Sequence, residues 1–321
     1  MKYLSGVNIT DFKSIPDHDE NSYTFIDDHI GNNEVSDSDF TYLLKLLENK
    51  PDRLILEYIR CESVKEYQNS VMMLPVWAIY SAYEINAMVP YTPCGPKYSI
   101  FNFIINKDRG NRRRLLEQLI EHNLYTDTYT LCWDSGPGGY PSKYWGNEVP
   151  VGQNFIRNNT NENNKNSKIY NAFLRENVFE PSYISIITEP EWFRHDTFIT
   201  EKTLFAFEAQ TLPIWFGGYN IPYYMKDIGF DIFDDIIDHS YQNLIDPYKR
   251  MDYSIIKNKH LFENINILEK FYQDNIHRFE SNKRLLRENI LTGYIDRELI
   301  RFNHWPESVK NDIRSIYKRF F

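Results

Sequence analysis

Short apolar runs alternate with helical periods along this chain, and one long polar tract interrupts the alternation. Upstream, Tyr98-Ser-Ile-Phe-Asn-Phe-Ile-Ile reads as a strand. Asn111 to His122 then places Leu115, Leu116, Leu119 and Ile120 at helical spacing, and Thr128-Tyr-Thr-Leu-Cys-Trp reads as a further strand. Asp52-Arg-Leu-Ile-Leu-Glu-Tyr-Ile is an earlier strand-like run. Downstream, Ser182-Tyr-Ile-Ser-Ile-Ile is a strand, Thr200 to Gln210 a helix and Leu212-Pro-Ile-Trp-Phe a strand. Asn220 to Ile228 is a helix stopped by Gly229, the residue type that ends helices in the left-handed conformation. Strand, helix and strand in succession fit parallel units and an α/β class.

The interruption runs from Ser135 to Lys168. Its first part, GPGGYPSKYWGNEVP, is rich in turn residues, and NNTNENNKNSK offers almost nothing to bury. It is expected to be a loop and a domain boundary, which gives one α/β domain over 1–168 and a second over 169–321. The length of 321 residues suits two such domains. Ile265 to Leu291 and Pro306 to Phe321 are charged and amphipathic and read as terminal helices packing back on the first domain.

Composition removes several classes. Hydrophobic residues make up 42% of the chain, which is globular and not disordered. A formal charge of −9 lacks the basic footprint of a general nucleic-acid binder. Cys61, Cys94 and Cys132 are an odd number at wide spacing, against a disulfide framework or a structural zinc site. The first residues, MKYLSGVNITDFKSIPDHDE, hold no apolar core of a signal peptide, and no run approaches a membrane span. A cytoplasmic protein is expected, in the host cytoplasm if the chain is viral.

Arg194 to Trp215, RHDTFITEKTLFAFEAQTLPIW, contains an electrostatic misfit. A helix that starts near Thr200 carries Lys202 in its first turn, where the backbone is already partly positive and a cation costs about a few tenths of a kcal/mol. In open α/β sheets ligands lie beyond the carboxyl ends of strands, and helix N-termini hold anions, phosphate above all. A bound anion would resolve the misfit: Thr200 caps, Arg194 and Lys202 add charge, and Glu201 accepts a ribose or sugar hydroxyl. The plain alternative has Thr200 as an ordinary N-cap, Glu201 as a helix-start carboxylate and Lys202 solvated. Spacing leaves both open. A similar unit precedes it, because Ile104-Ile is followed by Lys107-Asp-Arg-Gly-Asn-Arg-Arg-Arg at the start of a helix. Arg109 and Arg113 are its candidate phosphate or acceptor contacts, set against an ordinary solvated charge run.

Ile199-Thr-Glu-Lys-Thr-Leu-Phe-Ala-Phe-Glu-Ala-Gln-Thr-Leu-Pro-Ile-Trp-Phe-Gly resembles the donor-binding motif of the family 10 fucosyltransferases and of related phage and viral glycosyltransferases. In these a (V/I)TEK segment opens a helix, and a small-residue turn and a Pro-hydrophobic strand ending in Gly follow. The resemblance covers Ser182 to Arg250 and, more loosely, Asn102 to Leu124. It implies two Rossmann-like domains of the GT-B type with C-terminal helices, the first on the acceptor side and the second binding the donor. It also implies that Arg194, Thr200, Glu201 and Lys202 contact a nucleotide sugar, with no cofactor or metal required. Gln210-Thr211 stand where the fucosyltransferases usually have a small residue, so the resemblance does not extend to the sugar.

The expected activity is transfer of a sugar to a hydroxyl of a glycan, a protein or a hydroxylated base of phage DNA. The transfer needs a base within hydrogen-bond reach of that hydroxyl. Asp27, Asp28 and His29, after the apolar Tyr23-Thr-Phe-Ile, and Glu57 are the candidates. Asp17-His-Asp19 and Asp37-Ser-Asp39 match the spacing of a metal-diphosphate motif but follow no apolar strand. There is no Walker A, HExxH, GxSxG or GxGxxG pattern. The alternative is a non-catalytic module that binds a nucleotide sugar or glycan on a GT-B-like fold.

Overall fold

A computed structural model describes residues 24–26, 54–56, 60–61, 71–73, 78, 81–82, 85–86, 91, 93–105, 110–124, 129–134, 154–158, 175–189, 192, 196–288 and 290–320. Four short strands come first: β1 (Thr24–Ile26), β2 (Leu54–Leu56), β3 (Arg60–Cys61) and β4 (Val71–Met73). β1, β2 and β4 form a parallel three-stranded sheet in that order, with Ile26 opposite Leu56 and Leu56 opposite Met73.

The larger sheet uses β5 (Ser99–Ile105), β6 (Tyr129–Asp134), β7 (Asn154–Asn158), β8 (Ser182–Ile187) and, after the short β9 (Asp196–Thr197), β10 (Leu212–Trp215). All five are parallel, in the order β10-β8-β5-β6-β7. The chain builds outward from β5 through β6 to β7, then returns to the other side of β5 for β8 and β10. This is a doubly wound order, and its direction reverses between β5 and β8. β9 leaves the sheet and pairs antiparallel with β3.

The larger sheet spans the expected boundary at 168/169. β5 to β7 lie before that point and β8 and β10 after it, yet Ser99 stands opposite Ser182 and Phe101 opposite Ile184. The two similar units seen in the sequence are neighbours in one sheet. The polar tract is also more than a linker, because it holds β7. An edge strand needs one neighbour only, and Phe155 and Ile156 between asparagines carry too little apolar signal to stand out from their surroundings.

Among the described residues the bounded α-helices are α1 (Gly110–Glu121), α2 (Glu201–Glu208), α3 (Ile221–Asp227), α4 (Pro247–Phe262), α5 (Ile265–Asp274), α6 (Ile276–Arg287), α7 (Ile290–Arg301) and α8 (Glu307–Phe320), with single π and 3-10 turns at Arg175–Phe179 and Ser240–Asn243. Two apolar cores form. One joins Leu115 and Leu119 of α1, Met251 and Ile255 of α4 and Leu268 of α5 to Phe101, Phe103, Ile184 and Ile214. The other joins Leu204 to Phe207 of α2 with α3, Leu286 of α6 and the last two helices. A parallel sheet needs cover on both faces, and every residue of β8 and β10 is buried. Among the described residues no helix is long and apolar enough to cross a membrane.

The helices differ from the sequence expectation in two places. Ile265 to Leu291 is not continuous, since Asn275 leaves helical geometry at φ −122 and ψ 17 and its amide donates to the Phe271 carbonyl at 2.9 Å. α4, which the sequence reading lacks, is capped by the Asp246 carboxylate accepting from the Tyr248 and Lys249 N–H groups, with Pro247 in its first turn.

The C-terminal helices reach back toward the start of the chain. Ile295, Leu299, Phe302, Trp305, Val309 and Ile313 share a core with Met72, Ala78, Ala82 and Ile85. α6 reinforces this contact through charge. Arg287 holds the fully buried Glu208 of α2 in a two-pronged pair, and the Lys283 ammonium lies 3.6 Å from the same carboxylate. Arg287 also donates to the Ile85 carbonyl at 3.0 Å. Replacing Arg287 with Met removes the two-pronged partner of Glu208 and leaves the more distant Lys283 ammonium. Removing one partner of a buried pair strands the other charge, so the variant should lose about 3 kcal/mol in urea unfolding; an unchanged midpoint would remove this pair from the tie between α2 and α6.

Candidate functional site

The point where the sheet reverses direction lies between β5 and β8, and the segments leaving both strands meet there. β8 ends at Ile187 and continues into Thr188 and Glu189, while α1 opens at Gly110 after β5. The Asn111 amide of α1 donates to the Glu189 carbonyl at 2.7 Å and joins the two exits. The buried Asn111 Oδ1 and Thr188 Oγ1 accept or donate nothing among the described residues. Below them a polar ladder crosses the sheet: Asn102 donates to Ser185 Oγ at 3.0 Å, Ser185 meets Thr211 Oγ1 at 2.7 Å, and Thr211 donates to the Ala206 carbonyl at 3.0 Å. Gln210 and Thr211 therefore have a local reason to be there. Gln210 takes the left-handed turn after α2 at φ 56, and Thr211 anchors α2 to the sheet.

At the carboxyl end of β10 the Trp215 indole donates to Thr203 Oγ1 at 3.0 Å. Gly217, at φ +89, follows closely on Trp192, and a Cβ added there would fall 2.9 Å from the Trp192 Cβ. Backbone conformation and space both require glycine at this turn.

The α2 N-terminus stands at this same edge. Thr200 is its N-cap in extended geometry, as the sequence predicts, but its contact to the Lys202 N–H is long at 3.4 Å. The nearer partner is Glu189. Glu189 Oε1 accepts from the Thr200 N–H at 2.9 Å and from the Thr203 hydroxyl at 2.7 Å, and Oε2 accepts from the Thr200 hydroxyl at 2.6 Å. The carboxylate is 1% exposed. Burial pushes its pKa up, opposed by the Lys202 charge and by the hydrogen bonds from Thr200 and Thr203. The helix start is thus met by a buried carboxyl group of its own chain. Lys202 turns its ammonium onto Glu201 Oε1 at 2.6 Å and onto Thr200 Oγ1 at 3.4 Å.

Of the residues singled out in the sequence, the structure brings Thr200, Glu201 and Lys202 together at the helix start. Arg113 is on the exposed side of α1, while its neighbour Arg112 is buried and Arg114 grips Asp252 of α4 through two bonds of 2.7 and 2.6 Å. Part of the basic run is therefore structural. Arg194, Arg109, Asp27, Asp28, His29 and Glu57 lie outside the described residues. The sequence reading missed Glu189. Its available signal was position, a lone carboxylate two residues beyond an apolar strand and just before the TEK loop. Among the described residues no group of three or more His, Cys, Asp or Glu side chains is placed to hold a metal ion.

Glu189 gives the site a measurable pH dependence. A carboxyl whose folded pKa is raised binds more protons folded than unfolded just above its ordinary value, so stability falls as pH rises through that window. In Glu189→Gln this contribution is absent. The stability difference, wild type minus variant, should decline between pH 4.5 and the raised folded value, as read by urea midpoints at half-unit steps; a constant difference would show that Glu189 does not titrate there. No family model, curated protein or solved structure matches this chain, so its chemistry is read from the residues themselves.

Proposed function

We propose that the chain is a glycosyltransferase that moves a sugar from a nucleotide-sugar donor to a hydroxyl acceptor. The observation that carries this reading is the Glu201–Lys202 pair on the α2 N-terminus, set beside the reversal point of a doubly wound parallel sheet. That edge is where open α/β sheets bind nucleotides. The pair is 2.6 Å apart and its side chains are only 21% and 12% exposed. Donor binding exchanges partners within it: Glu201 accepts a ribose or sugar hydroxyl, and the freed ammonium meets the diphosphate. Lys202 then stabilises the negative charge that develops as the nucleoside diphosphate departs, a role that metal ions fill in other transferases.

In this reading the five-stranded sheet belongs to the donor side and the β1-β2-β4 sheet to the acceptor side, as two Rossmann-like units of the GT-B type. Pairing of β3 with β9 supports it. Arg60 stands opposite Thr197, three residues before Thr200, so the chain that leaves β2 returns directly to the edge of the α2 site. Asp27, Asp28 and His29 follow β1 in sequence and Glu57 follows β2, and the ends of these two strands are neighbours. A base drawn from either group is the proposed acceptor activator. A second reading, a module that binds sugar without transfer, draws on Glu189, because a helix start already supplied with an anion has less need of a phosphate.

Thermal shift against UDP-, GDP-, CMP- and ADP-linked sugars tests the proposal. A ligand at a hundredfold over its Kd adds about 2.7 kcal/mol to apparent stability, so one nucleotide class should raise the melting temperature by several degrees. Lys202→Ala and Glu201→Ala should each reduce that rise, and donor hydrolysis by the parent chain should accompany it. Absence of a shift with every class would sink the transferase reading; a shift without hydrolysis would favour the binding module.

A further inference from the structure

We propose that Glu189 is a positioning residue for nucleotide binding: its carboxylate orients the Thr200 hydroxyl, and that hydroxyl sets where the Lys202 ammonium lies. The inference rests on the donor site proposed above. A donor and acceptor count supports it. A threonine hydroxyl has one proton and two acceptor positions. At Thr200 the proton points to Glu189 Oε2 at 2.6 Å, and Lys202 N and Nζ both approach the oxygen at 3.4 Å. The hydroxyl can receive both Lys202 groups only because Glu189 takes its proton.

Glu189 cannot turn away from this task. Its other oxygen is fixed by the Thr200 N–H and the Thr203 hydroxyl, and Thr203 is itself held by the Trp215 indole at 3.0 Å. The backbone carbonyl of Glu189 is fixed separately by Asn111. α1 therefore fixes the backbone of Glu189, and α2 and, through Thr203, β10 fix its carboxylate, whose outward effect passes through Thr200 to Lys202.

Glu189→Gln keeps size and the doubly used oxygen but turns the Oε2 position into an N–H donor. Thr200 Oγ1 must then accept from Gln, and one Lys202 contact is lost. Thr200→Val removes the same relay while keeping the Glu189 side chain, at the loss of the hydroxyl that donates to its Oε2, and Thr200→Ser retains it. Isothermal titration of the full chain with GDP and with UDP is the measurement. Lys202→Ala should weaken the nucleotide that binds by about tenfold. Glu189→Gln and Thr200→Val should each do nearly the same, and Thr200→Ser should bind like the parent. In a Lys202→Ala background neither change should weaken binding further, because both act through the missing ammonium.

Additive losses in the double variants would overturn the inference, since a structural defect weakens binding whether or not Lys202 is present. Unchanged affinity in both Glu189→Gln and Thr200→Val would overturn it too. If Glu189→Gln does not fold, Thr200→Val decides alone. Should Lys202→Ala leave affinity untouched, or should neither nucleotide bind, the donor site itself falls, which is a different failure from additivity.

Discussion

The pairing of β5 with β8 is the contact on which the rest of the structure depends. Without it the strands before the polar tract and those after it would be separate fragments, each with open edges and too few helices to cover both faces. With it the sheet reverses direction at its centre, and α1 and α2 begin side by side at its carboxyl edge. Asn102 and Ser185, opposite each other in the register, add a buried polar bond across this junction. A hydrogen bond of this kind adds little net stability but is costly to break on one side only, so it fixes register.

Burial of polar groups is then a problem that the chain solves locally. Glu208 at the end of α2 is met by Arg287 and Lys283, and Glu189 at its start is met by two hydroxyls and an N–H. The two carboxylates hold opposite ends of the same eight-residue helix. α2 is too short to be stable by itself, and its apolar residues cover its whole circumference, so it survives only inside tertiary structure. Its orientation is set by the groups that pin its ends.

Secondary structure was largely legible from sequence, because Ser182–Ile187 and Leu212–Trp215 are buried on both faces and, like Ser99–Ile105, read as mainly apolar runs interrupted by single polar residues. Topology was not. Parallel strands far apart in sequence carry no local mark of which pair with which, and the pattern of two similar units suits one sheet as well as two. The polar tract hides its edge strand, which has two apolar residues, and its length suggests a linker. α4 escaped notice for another reason: its apolar residues are spread among tyrosines and lysines, and its start depends on the Asp246 cap.

At the site, residue type revealed the helix start but not its electrical state. A lysine in the first turn of α2 is unfavourable against the backbone alone, and the sequence argument supplies an external anion to balance it. The chain supplies two acidic groups of its own, Glu201 beside the lysine and Glu189 beneath the cap. This does not remove the case for a phosphate ligand, but it changes what such a ligand must do. It cannot simply fill a vacant positive pocket. It must compete with Glu201 for Lys202 and offer Glu201 a donor in return. A bare phosphate offers no such donor, whereas a sugar nucleotide carries phosphate and hydroxyls in one molecule. Under the proposed function, the paired state of α2 favours the composite ligand over inorganic phosphate.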